Sequence, residues 1–364
     1  MTFPRVPYAF RHVLWATVLA AALGAAYSEM QIWQRGGQAL DVYHMARGAV
    51  TGALIGGILT TFDAVVLNAP LGAPLRRAPF AVHVTIKTII YLSVILFALK
   101  LGHDLFPARG EGSEGGDVLF SLAAAFVFVF ILDVNSLLGQ NVLINFITGR
   151  YYAPRLEPRV FLLIDMVGST GLAERLGPLA FHRLVNRFVD DLTQPIVAAR
   201  GEIHRYVGDE LIATWKLKEG AADARCVAAC FAAIDKLERS APDYRREFGT
   251  AIAVRAGLHC GEVVTGEMGS VKREIVFLGD TVNTAARIQE LCRETGDRVI
   301  ASAELIHRLE LPAGIAKRSL GDLRLRGKGA DLALYALTKA PLRVGRSRAR
   351  GYEGAPEEAA SELP

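Results

Sequence analysis

Two aspartates stand where a carboxylate could meet a cation. Asp165 follows the apolar run VFLLI and precedes Met166, Val167, Gly168, Ser169 and Thr170, and Asp209 sits in RYVGDEL between two apolar runs. A carboxylate at a strand end beside a glycine turn can face a ligand while its strand stays buried. Gly208-Asp209 between apolar runs is a strong hairpin signal. Hard divalent cations take oxygen ligands, commonly one or two carboxylates together with the phosphates of a substrate. Two such ions can activate an attacking oxygen and neutralise a leaving one. Each aspartate also has a local reading: Asp165 as N-cap of a helix near 171, Asp209 as a turn former.

In FLGDTVNTAARIQE, Asn283 and Arg287 are four residues apart and share a face of a helix expected to start near Thr281. Asparagine can orient a sugar or phosphate oxygen, and arginine can stabilise charge developing on a phosphoryl group. A solvated helix face is the ordinary alternative. Asp280 reads as the N-cap of that helix, with no chemistry assigned. Arg324, Arg326 and Lys328 surround a glycine turn in LRLRGKGADLALYAL, either as a triphosphate clamp or as a solvated loop. No GxxxxGK[ST] occurs, so a phosphate-cradling P-loop is absent. Cys226, Cys230, Cys260 and Cys292 form neither a CxxC pair nor a zinc spacing, which suits plain thiols in a reducing compartment.

The elements that must position these residues fall in the second part of the chain. Its 364 residues suggest about two domains. A strand is expected at 159–166, helices through 171–199, a hairpin at 202–216 and a helix near 220–238. A strand pair at 251–265, a strand at 273–278, a helix at 281–293 and smaller elements to 338 follow. This pattern predicts a mixed α/β or α+β sheet domain over 158–340. Pro154 and Pro158 mark 140–157 as a juxtamembrane linker that no helix crosses unbroken, and 341–364 reads as a disordered tail.

Residues 1–139 read as a membrane domain. The first 150 residues carry ten Lys/Arg and eight Asp/Glu, against 31 and 29 in the rest. Apolar stretches at about 12–27, 48–69, 82–101 and 118–138 each approach the length of a membrane-spanning helix. Arg5, Arg11, Arg76, Arg77, Arg150 and Arg155 place both ends and the middle connection in the cytoplasm, and the acidic connection 102–117 suits the outer side. The alternative for residues 1–27 is a cleaved signal peptide. Gly48, Gly52 and Gly56 give one helix a bare ridge for close packing, within one chain or across a dimer. Asp63, Lys87 and Asp133 lie in three different stretches, as a shared polar cluster or as interfacial anchors. With a net charge of only +4, nothing calls for a nucleic-acid partner.

FLLIDMVGST, RYVGDELIATW, RAGLHCGEVVTGEMGSVKREIVFLGDTVNTAARIQ and RLRGKG occur in this order over about 158–338. As an ordered set they resemble the catalytic domain of class III adenylate and guanylate cyclases. The resemblance implies a ferredoxin-like βαββαβ core, so that with the apolar stretches above the chain reads as a four-helix transmembrane region followed by an α+β ferredoxin-like class III nucleotide cyclase domain. That domain would work as a head-to-tail homodimer with active sites at the interface. It implies further that Asp165, Asp209 and the backbone carbonyl of Met166 hold two Mg²⁺ or Mn²⁺ ions per site. Asn283 and Arg287 would reach the site from the other subunit, and Arg326 or Lys328 would bind the triphosphate. The implied reaction is in-line attack of the ribose 3′-oxygen on the α-phosphorus, with pyrophosphate leaving. The implied location is the inner membrane, multi-pass, with the cyclase domain in the cytoplasm.

Two positions depart from the family pattern. Its adenylate cyclases usually place a base-recognising lysine where this chain has Arg205, and Asp or Thr where it has Val276. Valine cannot hydrogen-bond a purine edge. ATP is the favoured substrate; GTP or a pyrimidine triphosphate stays open. A catalytically silent nucleotide-binding module is disfavoured because both aspartates, Asn283 and Arg287 are all present. A transporter is disfavoured because no broken-helix repeat occurs.

Overall fold

The computed structural model describes residues 6–34, 42–62, 80–105, 116, 118–124, 126–127, 142–324 and 331–339. The apolar first part contributes α1 (Val6–Gln34), α2 (Val42–Thr61) and α3 (Phe80–Leu105). Among the described residues, two helical segments are long and apolar enough to cross a membrane, Val13–Gln34 and Thr85–Leu105. They coincide with the first and third expected stretches. Residues 63–69 of the second and most of the fourth lie outside the described residues, so four crossings remain an expectation.

The glycine ridge packs within the chain. A β-carbon at Gly48 would fall on the Gly24 carbonyl oxygen and Ser28 Oγ, one at Gly52 on the Ala20 carbonyl oxygen, and one at Gly56 on Ala20 Cβ. Only glycine lets the α1 and α2 backbones approach so closely. On another side of α2, Leu59 packs with Tyr91 and Ile95 of α3. Lys87 is buried, with Nζ 5.5 Å from the Tyr91 ring centroid. Asp63 and Asp133 lie outside the described residues.

The short helix α4 (Val142–Ile147) leads to β1 (Arg155–Met166), α5 (Ser169–Leu176), α6 (Pro178–Ala198), β2 (Glu202–Val207) and β3 (Glu210–Lys216). Then come α7 (Arg225–Phe248), β4 (Val254–Met268), β5 (Glu274–Leu278), α8 (Asp280–Thr295), β6 (Val299–Ser302), β7 (Ile315–Leu323) and β8 (Leu332–Lys339). One mixed sheet runs β2-β3-β1-β4-β6-β8-β7, with β5 paired to β4 off that path. Within it β2, β3, β1 and β4 are antiparallel neighbours, with helices between β1 and β2 and between β3 and β4. That is the ferredoxin-like βαββαβ arrangement.

β1 is apolar without alternation because both of its faces are covered. Val160, Leu162, Ile164 and Met166 pack in the large core with Leu184, Phe188 and Leu192 of α6 and Val227, Cys230 and Ile234 of α7. Phe161 and Leu163 pack on the other side with Ala285 of α8. All four cysteines are buried and free.

Two expectations are corrected. The strand pair at 251–265 is one continuous strand, β4. Gly257 and Gly261 are not turn residues but the places where α8 lies on the strand: a β-carbon at Gly261 would meet Thr281 Oγ1 at 2.6 Å. The helix expected to end near 238 continues through Pro242 to Phe248, because Tyr244 and Phe248 belong to the core.

Candidate active site

Asp165 is the penultimate residue of β1, and Asp209 follows Gly208 in the two-residue turn between Val207 and Glu210. Gly208 has φ +63, a left-handed conformation that favours glycine and closes the hairpin tightly. Since β3 pairs with β1, with Ile164 opposite Leu211, the hairpin tip is carried to the end of β1. The two carboxylates therefore meet. Asp165 is not a helix cap: Gly168 is the N-cap of α5, and no side chain bonds it.

Burial and the facing Asp209 carboxylate together push the Asp165 carboxyl up to about 6. Glu210 is pushed up to about 7 by burial, with Asp165, Asp209 and Glu290 adding repulsion. Asp209 Oδ2 is buried with no hydrogen-bond partner. A buried carboxylate oxygen with no donor, facing a second acid, is costly unless a cation completes it. The residues thus fit a divalent ion. Among the described residues no cluster of three or more His, Cys, Asp or Glu forms an all-protein cage. Two carboxylates suit an ion that is also held by phosphate oxygens.

α8 begins at Asp280, one residue earlier than expected, and Gly279 rather than Asp280 occupies the N-cap. Asp280 instead accepts a hydrogen bond from Thr284 Oγ1 at 3.3 Å. The helix buries Thr281, Thr284, Ala285, Ile288, Gln289 and Cys292. Asn283 is exposed and Arg287 half-buried, both away from that inward stripe. The structure thus puts these two side chains on one outward face, and it does not bring them together with Asp165 of the same chain. Asp165 is met instead from the inward face, where Gln289 Nε2 lies 3.5 Å from Asp165 Oδ2.

Arg205 and Val276 occupy adjacent elements. β2 shifts register between Ile203 and Arg205, and this bulge turns His204 onto the Phe277 ring at 4.7 Å. Burial, then the Arg205 and Arg159 cations, lower His204 to about 4, so it is neutral at physiological pH. Arg205 donates to Glu274 Oε2 at 2.8 Å, bridging β2 and β5. Val276, half-buried on β5, pairs with Gly266. Beneath them lies Arg159, 2% exposed, which donates to Glu202 at 2.9 Å, to Glu157 at 3.3 Å and to the Tyr151 hydroxyl at 3.3 Å. Its guanidinium carbon is 4.6 Å from the Phe277 ring centroid.

Arg324 is exposed after the last residue of β7, while Arg326 and Lys328 lie outside the described residues. Sequence reasoning missed Gln289, Glu210, Glu274 and Arg159. Glu210 had a visible signal, being the acid next to Asp209; the other three act across long sequence separations.

Residues 152–339 match the family described as the adenylate and guanylate cyclase catalytic domain. The chain is 37% identical over 225 residues to Adenylate cyclase 2 of Rhizobium meliloti, covering 62% of each chain. It is 27% identical over 179 residues to an adenylate cyclase of Anabaena cylindrica, covering 48% of this chain and 35% of that one. It therefore spans less than two thirds of the length of either relative. A bacterial light-regulated adenylyl cyclase has a similar fold, with TM-score 0.52, 20% identity, and coverage of 63% of this chain and 67% of the other.

Proposed function

The chain belongs to the adenylate and guanylate cyclase catalytic-domain family, and we propose on that premise that it is a membrane-anchored adenylate cyclase. It converts ATP to 3′,5′-cyclic AMP and pyrophosphate at the interface of a homodimer. The observation that carries this reading is the meeting of Asp165 and Asp209, with one buried carboxylate oxygen left without a donor. The choice of ATP is supported by the names of the two relatives above.

Asp165, Asp209 and the Met166 carbonyl would hold the divalent cations, Mg²⁺ or Mn²⁺, two per site. When bound, these cations supply Lewis-acid polarisation of the ribose hydroxyl and charge neutralisation on the phosphates. The protein's own part is positional. The β1 end and the β2–β3 turn hold two acids at a fixed separation, so the triphosphate is oriented before reaction. Asn283 orients the ribose, and Arg287 stabilises charge on the phosphorus as the 3′-oxygen attacks in line. Both come from the partner subunit, a division supported by their outward placement on α8. Arg326 or Lys328 binds the triphosphate.

Pairing of two domains has apolar surface to use. Tyr206, Val207, Val264, Met268 and Leu278 are exposed on β2, β4 and β5, and Arg205 and Val276 lie on β2 and β5 as well. Two apolar helical segments support membrane anchoring, and the basic residues Arg150 and Arg155 ahead of the domain support its placement on the cytoplasmic side.

Val276 has no polar group for a purine edge, and Arg205 is engaged by Glu274, so base choice is the part of the reading most open to test. Full-length protein in detergent is incubated with ATP, GTP, CTP or UTP plus Mg²⁺ or Mn²⁺, and products are identified by mass. Cyclic AMP as the main product is expected. Cyclic GMP would replace the base assignment while keeping the reaction, and no cyclic product under any condition would overturn the function. Mixing an Asp165→Ala chain with an Arg287→Ala chain should restore part of the activity lost by each. Verified mixed dimers without activity would refute the shared site.

A further inference from the structure

Gln289 is a buried polar residue on a helix whose inward positions are otherwise small or apolar side chains and two threonines. Burying a carboxamide costs free energy unless its groups find partners. Its Nε2 points to Asp165 Oδ2 at 3.5 Å, a contact that joins residues 124 apart in sequence. The distance is at the long end of the hydrogen-bond range.

The placement is fixed by backbone packing. A β-carbon at Gly257 would lie 2.6 Å from the Gln289 backbone nitrogen, 2.7 Å from the Ala285 carbonyl oxygen and 2.8 Å from Gln289 Cβ. Gly257 pairs with Leu163, two residues before Asp165 on β1. The missing side chain at 257 therefore seats α8 directly on the sheet, with Gln289 level with the end of β1. Among the described residues, the acid that the carboxamide donor meets there is Asp165.

We propose that Gln289 is a positioning residue that holds the Asp165 carboxylate in the orientation that binds the cation. It does so on the same chain whose Asn283 and Arg287 face outward. This rests on the functional reading above, since it deepens the role given there to Asp165. A donor to Oδ2 restrains the rotation of the Asp165 carboxylate and leaves its second oxygen for the ion. α8 then serves two sites at once: its inward face braces the acid of its own chain, and its outward face serves the partner.

The test uses full-length protein carrying Gln289→Met, which keeps the side chain's length and removes the donor, with Gln289→Ala as a second variant. Mn²⁺ binding is read without turnover, from the electron paramagnetic resonance of free Mn²⁺. Loss of a group that supports a metal ligand typically costs 10–100-fold in affinity, and this long contact belongs at the lower end, about tenfold. Thermal unfolding of Gln289→Met should stay close to wild type. In steady state the Mn²⁺ concentration for half-maximal rate should rise about tenfold, with kcat at saturating Mn²⁺ within about twofold. In the mixed dimer, Gln289→Met placed on the Arg287→Ala chain, which keeps the working Asp165, should shift the Mn²⁺ dependence. Placed on the Asp165→Ala chain it should not. Mn²⁺ affinity within twofold of wild type in both variants, or equal shifts from either chain of the mixed dimer, would overturn the proposal. Because Mn²⁺ binding needs no product, an inactive wild type would count against the function and leave this measurement intact.

Discussion

Removal of the Arg159 guanidinium is the perturbation whose size can be worked from the structure. Its Nη1 donates to Glu202 Oε2 at 2.9 Å, its Nε to Glu157 Oε2 at 3.3 Å and its Nη2 to the Tyr151 hydroxyl, with the Phe277 ring against its face. Burial works against the charge, but Glu202, Tyr151 and Glu157 together more than offset it, so the group's proton affinity rises and it stays charged. Arg159→Met keeps the aliphatic stem and removes the cation that Glu202 and Glu157 share, while Glu157 keeps Arg150 at 3.9 Å. Breaking a buried pair from one side costs about 3–5 kcal/mol. Glu157 and Glu202 retain 16% and 29% side-chain exposure, so water recovers part of that and about 3 kcal/mol is expected. For a domain of this size roughly 2–4 °C accompanies each kcal/mol, giving a fall in Tm of about 6–12 °C.

Trp215 is 1% exposed in the same domain, and its emission can report unfolding of the full chain in detergent. A second variant separates charge from packing. Arg159→Met with Glu157→Gln and Glu202→Gln removes the two carboxylate charges as well and should recover a good part of the lost stability. The functional readout follows from Phe277, which loses its cation contact while keeping the His204 and Phe161 rings. Since Phe277 adjoins Val276 and His204 adjoins Arg205, the ratio of kcat/KM for ATP to that for GTP should change in Arg159→Met. A Tm loss below about 3 °C, or a triple variant less stable than Arg159→Met alone, would show that the reasoning about desolvated charge is wrong.

Two further outcomes are expected. The metal-free chain should lose stability as pH rises from about 4 to 6, because an acid raised from 3.8 to about 6 favours the folded state only while protonated, and Glu210 extends the loss toward 7. The Asp165 contribution is at most ~3 kcal/mol and on the order of 1–2 after solvent screening of a half-exposed group, so the Tm gain on adding Mn²⁺ should be larger at pH 7.5 than at pH 5. Equal gains at both pH values would mean that the acids do not bind the ion. In the membrane part, Gly52→Leu should cost about 1–3 kcal/mol by forcing α1 from α2, read as a lower first transition in Trp15 and Trp33 emission, and an unchanged transition would remove the glycine ridge from the packing account.

What the sequence made legible was local. Asp165 and Asp209 stood out because each sits at the end of an apolar run beside a glycine, and a strand end or a two-residue turn is decided within a few residues. Asn283 and Arg287 stood out because a four-residue spacing on a helix fixes a shared face whatever that helix packs on. The helix boundary itself was less legible. A residue at the N-cap and one at the first helical position differ only in backbone angles, so Asp280 reads equally well as either.

The rest was hidden by distance along the chain. Arg159 looks like a solvated cation at the edge of an apolar strand; only when β2 returns 43 residues later does Glu202 turn it into a buried hub. β4 looks like two strands because its glycines carry the usual mark of a turn, and the helix that makes those glycines necessary starts at Asp280, nineteen residues after Gly261. Gln289 is the extreme case. In the helical pattern it is one polar residue among inward positions, which lowers the apparent amphipathicity and invites dismissal, yet burial without a local partner is what marks a side chain as held for another residue. Pattern reading finds groups that present themselves to a ligand; groups that hold the presenters become visible only when the strands and helices between them are in place.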